Sequence, residues 1–350
     1  MQNSSTSRND LAGTLAAAIA SVSLVLVTPS CGTSSAGSDD TSVAGGGGVA
    51  PTVQAESTYE VAVTTETYGK GQRHLAWNGP TDGVRDLLLD VYEPVDAPPG
   101  RPAVVVIHGG GFTGGSRTNE NSVAFAQHFA QRGFVAVSID YRVTSDRGTL
   151  PQAWLDVVAA SDASQSQRLQ ALGMYAAARD AKAAVRWFVT NADTYQIDTD
   201  HITAIGGSAG SYLAIMLGVT NPEDFRDEVS MDVDPTLATT NLTASAEVHT
   251  IIDHWGGITH MEILERMNGK SRFNESDAPV SIVHGTADET VPFTEAEKLR
   301  DAYTATGVAF DFHPLEGAGH GPWDATVDGK DLRELAFDFV VENQGLDVTP

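Results

Sequence analysis

From residue 85 onward, short continuous apolar runs punctuate the chain, and longer amphipathic stretches lie between them. Ala103–Ile107 (AVVVI), Val135–Ile139 and Ile202–Ile205 show no polar alternation, the pattern of strands buried on both faces. Arg85–Tyr92, Val248–Ile252, Val280–Val283 and Ala309–Phe312 are further predicted strands. Helices are predicted over Ala176–Val189, Ser211–Leu217 and Glu295–Thr304. Leu332, Leu335, Ala336, Phe339 and Val340 follow the i, i+3, i+4, i+7, i+8 spacing of a packed surface helix. Strands alternating with helices predict an α/β domain with a mostly parallel sheet covered on both faces. No internal repeat interrupts the pattern. Thr144–Gly173 fits it least: it is rich in Gln, Ser and Asp, with isolated Trp154 and Leu155, and is predicted as an insertion near the rim of the sheet.

The first part of the chain has a different texture. Leu11–Val27 carries no charge and is shorter than the roughly 20 residues of a spanning helix, as expected of an export signal. Cys31 follows directly, where a bacterial lipoprotein would carry its acylated cysteine, although Thr28-Pro29-Ser30 matches a lipobox only in part. Gly32–Glu56 is rich in Gly, Ser and Thr and reads as a flexible tether. The expected organisation is therefore a signal segment over 1–31, a tether over 32–56 and one catalytic domain over 57–350. An exported protein attached to the membrane through lipid on Cys31 is the leading expectation; a cleaved secretory signal and a retained helix are the alternatives.

Composition narrows the function by exclusion. The 350 residues carry 21 Lys and Arg against 46 Asp and Glu, a formal net charge of −25. Only Arg8, Asp10, Asp39, Asp40 and Glu56 are charged before residue 57, so the acidity belongs to the predicted domain. No basic stretch is present to neutralise phosphates, which excludes nucleic acid as a partner. One cysteine makes neither an intramolecular disulfide nor a zinc–thiolate site, and no metal is implied.

Two glycine-rich segments carry chemistry. Gly206-Gly207-Ser208-Ala209-Gly210 is a G-x-S-x-G between a predicted strand and a predicted helix, the context of a nucleophile elbow. His108-Gly109-Gly110-Gly111-Phe112 follows another buried strand. Consecutive glycines there allow backbone N–H groups to face a tetrahedral oxyanion, and Gly110, Gly111 and Ala209 are the candidate donors. A phosphate loop is the competing reading, disfavoured by the missing G-K-[ST] and the acidity.

Serine needs a base, and the base needs an orienting acid. His320 sits in a glycine loop after the last predicted strand, and Asp288 follows the strand before it. Ser208, Asp288 and His320 then fall in the order this elbow requires. Asp253 and Glu289 are alternative acids; His254, His260, His284 and His313 read as surface, strand-end or supporting residues. His108 is expected to hold the glycine loop by a ring hydrogen bond. Asp140-Tyr141-Arg142 is expected to form a buried ion pair with a helix, through Asp180 or Arg186. Asp232 and Asp234 read as solvated loop acids, since a calcium loop would need a Gly and a following Glu. Trp154, Met174, Tyr175, Phe112 and Trp255 are either core or pocket lining.

HGGGF, GGSAGSYLA, HGTADETVPF and GAGHG, in that order, resemble the α/β-hydrolase carboxylesterases over about residues 57–345. The oxyanion loop is similar to that of the hormone-sensitive-lipase group. The acid and histidine segments are similar to bacterial feruloyl esterases and dienelactone hydrolases. The resemblance implies the α/β-hydrolase fold, no cofactor, and the same roles for Ser208, His320, Asp288, Gly110, Gly111 and Ala209. The chain departs from the pattern at Ser211 and Gly207, and no cap helices are expected before residue 57. An open site for short-chain or aryl esters follows as the expectation. A peptidase or acyltransferase of the same fold is the second reading, less expected without a propeller-sized domain. A non-catalytic binding module is the third, and it would normally have lost the Ser or the His.

Overall fold

A computed structural model describes residues 50–350, so the expected signal segment, Cys31 and the first part of the tether lie outside the described residues. The expected tether ends too late. Thr52–Gln54 (β1), inside it, pairs in parallel with the C-terminal strand Asp347–Thr349, and Val53 is fully buried. Alternation around a single apolar residue is too short a signal to lift three residues out of a Gly/Ser/Thr-rich background.

The elements that build the main sheet and its covering helices follow in order. They are β2 (Val61–His74), β3 (Thr81–Pro94), β4 (Arg101–Ile107), α1 (Glu120–Ala130), β5 (Val135–Ile139), α2 (Gln152–Ala159), α3 (Gln165–Thr190) and α4 (Ala192–Tyr195). Then come β6 (Ile197–Gly207), α5 (Ala209–Val219), β7 (Thr250–His254), α6 (Thr259–Asn268), β8 (Val280–Gly285), α7 (Thr294–Thr306), β9 (Phe310–Leu315) and α8 (Leu332–Gln344). Eight strands form one sheet in the order β2-β3-β5-β4-β6-β7-β8-β9. The two pairings that involve β3 are antiparallel and the rest are parallel.

The sheet is buried on both faces. Ala103, Val105 and Ile107 of β4 point into one core with α3 and α5, while Val104 and Val106 point into a second with α1 and α8. This is the doubly covered parallel sheet that the continuous apolar runs predict. Each parallel strand therefore ends at the same edge, where loops gather. Thr144–Gly173 is not featureless: it contains α2 and the first turns of α3. Among the described residues, no helix is long and apolar enough to cross a membrane.

Candidate active site

The elbow between β6 and α5 owes its shape to small residues. A Cβ on Gly206 would run into the backbone of Gly210, and one on Gly210 would collide with the carbonyl oxygen of Ile107. The chain thus turns sharply against the end of β4, with Ser208 forced to φ +53° and ψ −123°. Such strain in a non-glycine residue costs on the order of 1–3 kcal/mol and persists only where the surroundings impose it. Here the Ser208 amide is tied to the His254 carbonyl of β7 at 2.9 Å.

The loop after β4 lies against this turn. A Cβ on Gly109 would sit 3.4 Å from the Cβ of Ser208. Gly110 and Gly111 take φ +119° and +58°, values that glycine adopts at little cost. The Gly110 carbonyl accepts from the amides of Thr113 and Gly114, while no protein carbonyl accepts from the Gly110 or Gly111 amide among the described residues. His108 holds the loop as expected: its Nδ1–H donates to the Gly109 carbonyl at 2.6 Å. The Tyr141 ring stacks on the imidazole at 4.2 Å, and the Tyr141 hydroxyl donates to the His108 carbonyl. Burial lowers the pKa of His108, although the Gly109 carbonyl works in the opposite direction.

The loops after β8 and β9 bring the other two groups. The Ala287 amide donates to the Ala318 carbonyl at 2.9 Å, joining the loops. His320 Nδ1–H donates to Asp288 Oδ2 at 2.7 Å, and the Ser208 hydroxyl donates to His320 Nε2 at 3.0 Å. Asp288 Oδ1 accepts from the amides of Thr290 and Val291 at 2.8 and 2.9 Å. Four strand ends thus assemble the predicted constellation. The competing acids are placed elsewhere: Glu289 is exposed, and Asp253 is buried behind the elbow, accepting from the Ser211 hydroxyl and the Gly256 amide. Burial pushes the Asp253 carboxyl up and holds His254 and His260 down at about 3.

A cleft of about 850 Å³ opens over Ser208 and His320, within the range of small-molecule sites. Gly110, Gly111 and Ala209 line it. Trp255 and Trp323, crossed edge-to-face at 4.6 Å, form one wall, and the Trp323 ring rests on Gly207. Val157, Val158, Gln167, Gln170 and Ala171 of the insertion form another wall, with Ile263 and Arg266 of α6 also at the cleft. The ends of the insertion meet beside the glycine loop. The Thr144 amide donates to the Phe112 carbonyl at 2.7 Å, and a Cβ on Gly173 would lie 2.9 Å from Thr144 Cγ2.

Of the five residues left between core and pocket, Phe112, Met174 and Trp255 line the cleft. Trp154 and Tyr175 pack with Phe225 beneath the wall instead. Asp234 is not a solvated acid. It is fully buried, caps the turn at Pro235–Thr239, and lies 3.9 and 4.0 Å from Arg142 and Arg179. Sequence reasoning missed Trp323, whose signal is a large aromatic in the loop that carries His320.

A serine on a strained strand–helix turn, joined through a histidine to a buried carboxylate at the carboxyl edge of a doubly covered parallel sheet, defines an α/β-hydrolase. The chain belongs to the prolyl oligopeptidase family, which it matches over residues 120–346. Esterase LipQ of Mycobacterium tuberculosis is 26% identical over 288 residues, covering 74% of this chain and 60% of that protein. Esterase LipC of the same organism is 24% identical over 253 residues, 67% of this chain and 56% of that one. The chain thus spans 60% or less of the length of these relatives. Among solved structures, Thermogutta terrifontis esterase 2 phosphorylated by paraoxon superposes with a TM-score of 0.57 at 26% identity, covering 80% of this chain and 94% of that one.

Proposed function

We propose that the chain is a serine carboxylic-ester hydrolase that acts through an acyl-enzyme on short-chain or aryl esters. The observation that carries this reading is the continuous Ser208–His320–Asp288 hydrogen-bond chain at the floor of the cleft. Ser208 Oγ attacks the ester carbonyl while His320 Nε2 takes its proton, and Asp288 stabilises the imidazolium. Charge developing on the carbonyl oxygen is met by the amides of Gly110, Gly111 and Ala209. His320 returns the proton to the departing alkoxide, and water clears the acyl-serine by the same steps in reverse order. Neither a metal nor a cofactor enters.

Short acyl groups are favoured by the similarity to an esterase whose solved structures include propionate-bound and butyrate-bound forms. The crossed Trp255 and Trp323 offer a flat apolar surface for an aryl group. The test is labelling by a fluorophosphonate probe together with hydrolysis of p-nitrophenyl esters from acetate to palmitate and of methyl ferulate. A wild-type adduct on Ser208 and loss of turnover in Ser208→Ala, by about 10³-fold or more, are expected. Full activity in Ser208→Ala refutes the reading, and turnover of long chains alone refutes the short-chain part of it.

Peptidase action is the second reading, favoured by the family match over residues 120–346. Cleavage of acyl-prolyl amides faster than of the matching esters would establish it. Export with lipid on Cys31 is also proposed, supported by the uncharged run Leu11–Val27 just before that cysteine. Cys31→Ser should then move the protein from the detergent phase to the aqueous phase on Triton X-114 partition; unchanged partition would refute it.

A further inference from the structure

The acid loop contains a buried imidazole that the proposed reaction does not use. His284, at the end of β8, is fully buried, side chain included. Its Nε2 lies 2.8 Å from the Val291 carbonyl and 3.4 Å from Asp288 Oδ2. A carbonyl only accepts, so Nε2 carries a proton. The same nitrogen donates to the Val291 carbonyl and stands 3.4 Å from the carboxylate oxygen that also receives His320. Val291 is itself pinned from its other side, since its amide donates to Asp288 Oδ1.

We infer that His284 is a positioning residue: it stands against the Asp288 oxygen that receives His320 and ties down Val291 beside it, and thereby sets both the orientation of His320 and the pH at which His320 loses its proton. The groups facing His284 are few. Asp288 and, beyond it, His320 lie on one side. Asp253 of β7 is level with Ile282, which places it diagonally next to His284 on the same face of the sheet. The Phe293 ring meets the imidazole edge-on at 5.9 Å. His284 Nδ1 and Asp253 Oδ2 are both buried without a hydrogen-bond partner. The reason to retain an imidazole here is therefore its Nε2–H. Without that donor, Asp288 Oδ2 has one fewer N–H near it and attracts the imidazolium more strongly, which raises the pKa of His320. The loop also loses the tie that aims the carboxylate, and a small misplacement of a catalytic group is costly in rate.

The inference rests on the serine-hydrolase reading, whose own failure appears separately as activity surviving in Ser208→Ala. The test compares His284→Phe, His284→Asn and His284→Gln with wild type on p-nitrophenyl butyrate across pH. Phe fills the space without a donor, Asn places its amide too short to reach Asp288, and Gln carries a donor at the position of Nε2. Expected for Phe and Asn are a fall in kcat of up to about 100-fold with KM little changed, and an acid limb of kcat/KM moved to higher pH. Gln should restore most of both. The far-downfield proton resonance of the His320–Asp288 hydrogen bond should shift in Phe and Asn and return in Gln. Wild-type kcat and acid limb in Phe or Asn overturn the inference. So does equal impairment of all three variants, which would make the imidazole a matter of packing. If Phe fails to fold, the Asn and Gln pair decides the question.

Discussion

At the scale of single residues, small side chains and buried imidazoles determine most of what happens near Ser208. Gly210 packs against the end of β4 so tightly that Gly210→Ala forces the elbow and β4 apart. The expected outcome is a destabilisation of at least about 2 kcal/mol, as for overpacking, with turnover lost in whatever still folds; urea titration and ester hydrolysis check both. Burial holds His128, His254 and His260 at about 3, whereas the unfolded chain binds those protons near pH 6.5. Between these values the unfolded state holds more protons, so the stability they contribute is present above pH 6.5 and is lost as pH falls toward 3. Asp277, pushed up to about 7, works in the opposite direction between pH 7 and its unfolded value near 3.8. Burial also lowers His108 and His249 and raises Asp253, so five histidines against two carboxylates predict a net fall in Tm on acidification from pH 7 to 4, measurable by differential scanning calorimetry. The site residues themselves were legible because glycine spacing, strand context and chain order all constrain them together. Trp323 was not, because nothing in its immediate neighbours distinguishes a wall residue from a loop aromatic.

At the scale of elements, continuous burial is what made strands readable. All seven predicted strands are present, Val135–Ile139 with the same bounds and the other six extended or shifted at their ends. β2 escaped because it is an edge strand whose residues from Ala62 to Thr67 are exposed, so neither alternation nor an apolar run marks it. α1 and α6 were also unread, although Asn119 caps α1 and Gly269 ends α6 in the left-handed region. α3 starts well before the predicted Ala176, at a capping box in which Ser164 and Gln167 satisfy each other's backbone. That signature is in the sequence, hidden inside a stretch whose polarity suggested a loop. The buried pair predicted from Asp140-Tyr141-Arg142 joins the end of β5 to α3. Arg142 donates to both carboxylate oxygens of Asp180, while Arg186 donates instead to the Thr240 carbonyl. Arg142→Met leaves Asp180 buried and uncompensated and should cost about 3–5 kcal/mol in a urea titration. The double variant Arg142→Met with Asp180→Leu should recover part of that loss.

At the scale of the whole molecule, the fold closes through its termini. β1 and the C-terminal strand pair with each other, and Val53 joins the core that contains α1 and α8. A chain that begins at residue 57, the boundary expected from composition, should therefore lose about 2 kcal/mol relative to one that begins at residue 50, from the burial of Val53 alone. Thermal melts of the two compare them directly. The wall of the cleft has a different relation to the chain. The expected catalytic groups all come from strand ends or the turns that follow them, whereas Thr144–Gly173 leaves and returns at nearly the same point beside Phe112. A span whose two ends already touch imposes little on the framework if it is lengthened, shortened or replaced. One part of the cleft lining can thus change without disturbing the strand ends. On the proposed reading, replacing this one excursion would alter which ester is accepted while leaving Ser208, His320 and Asp288 in place.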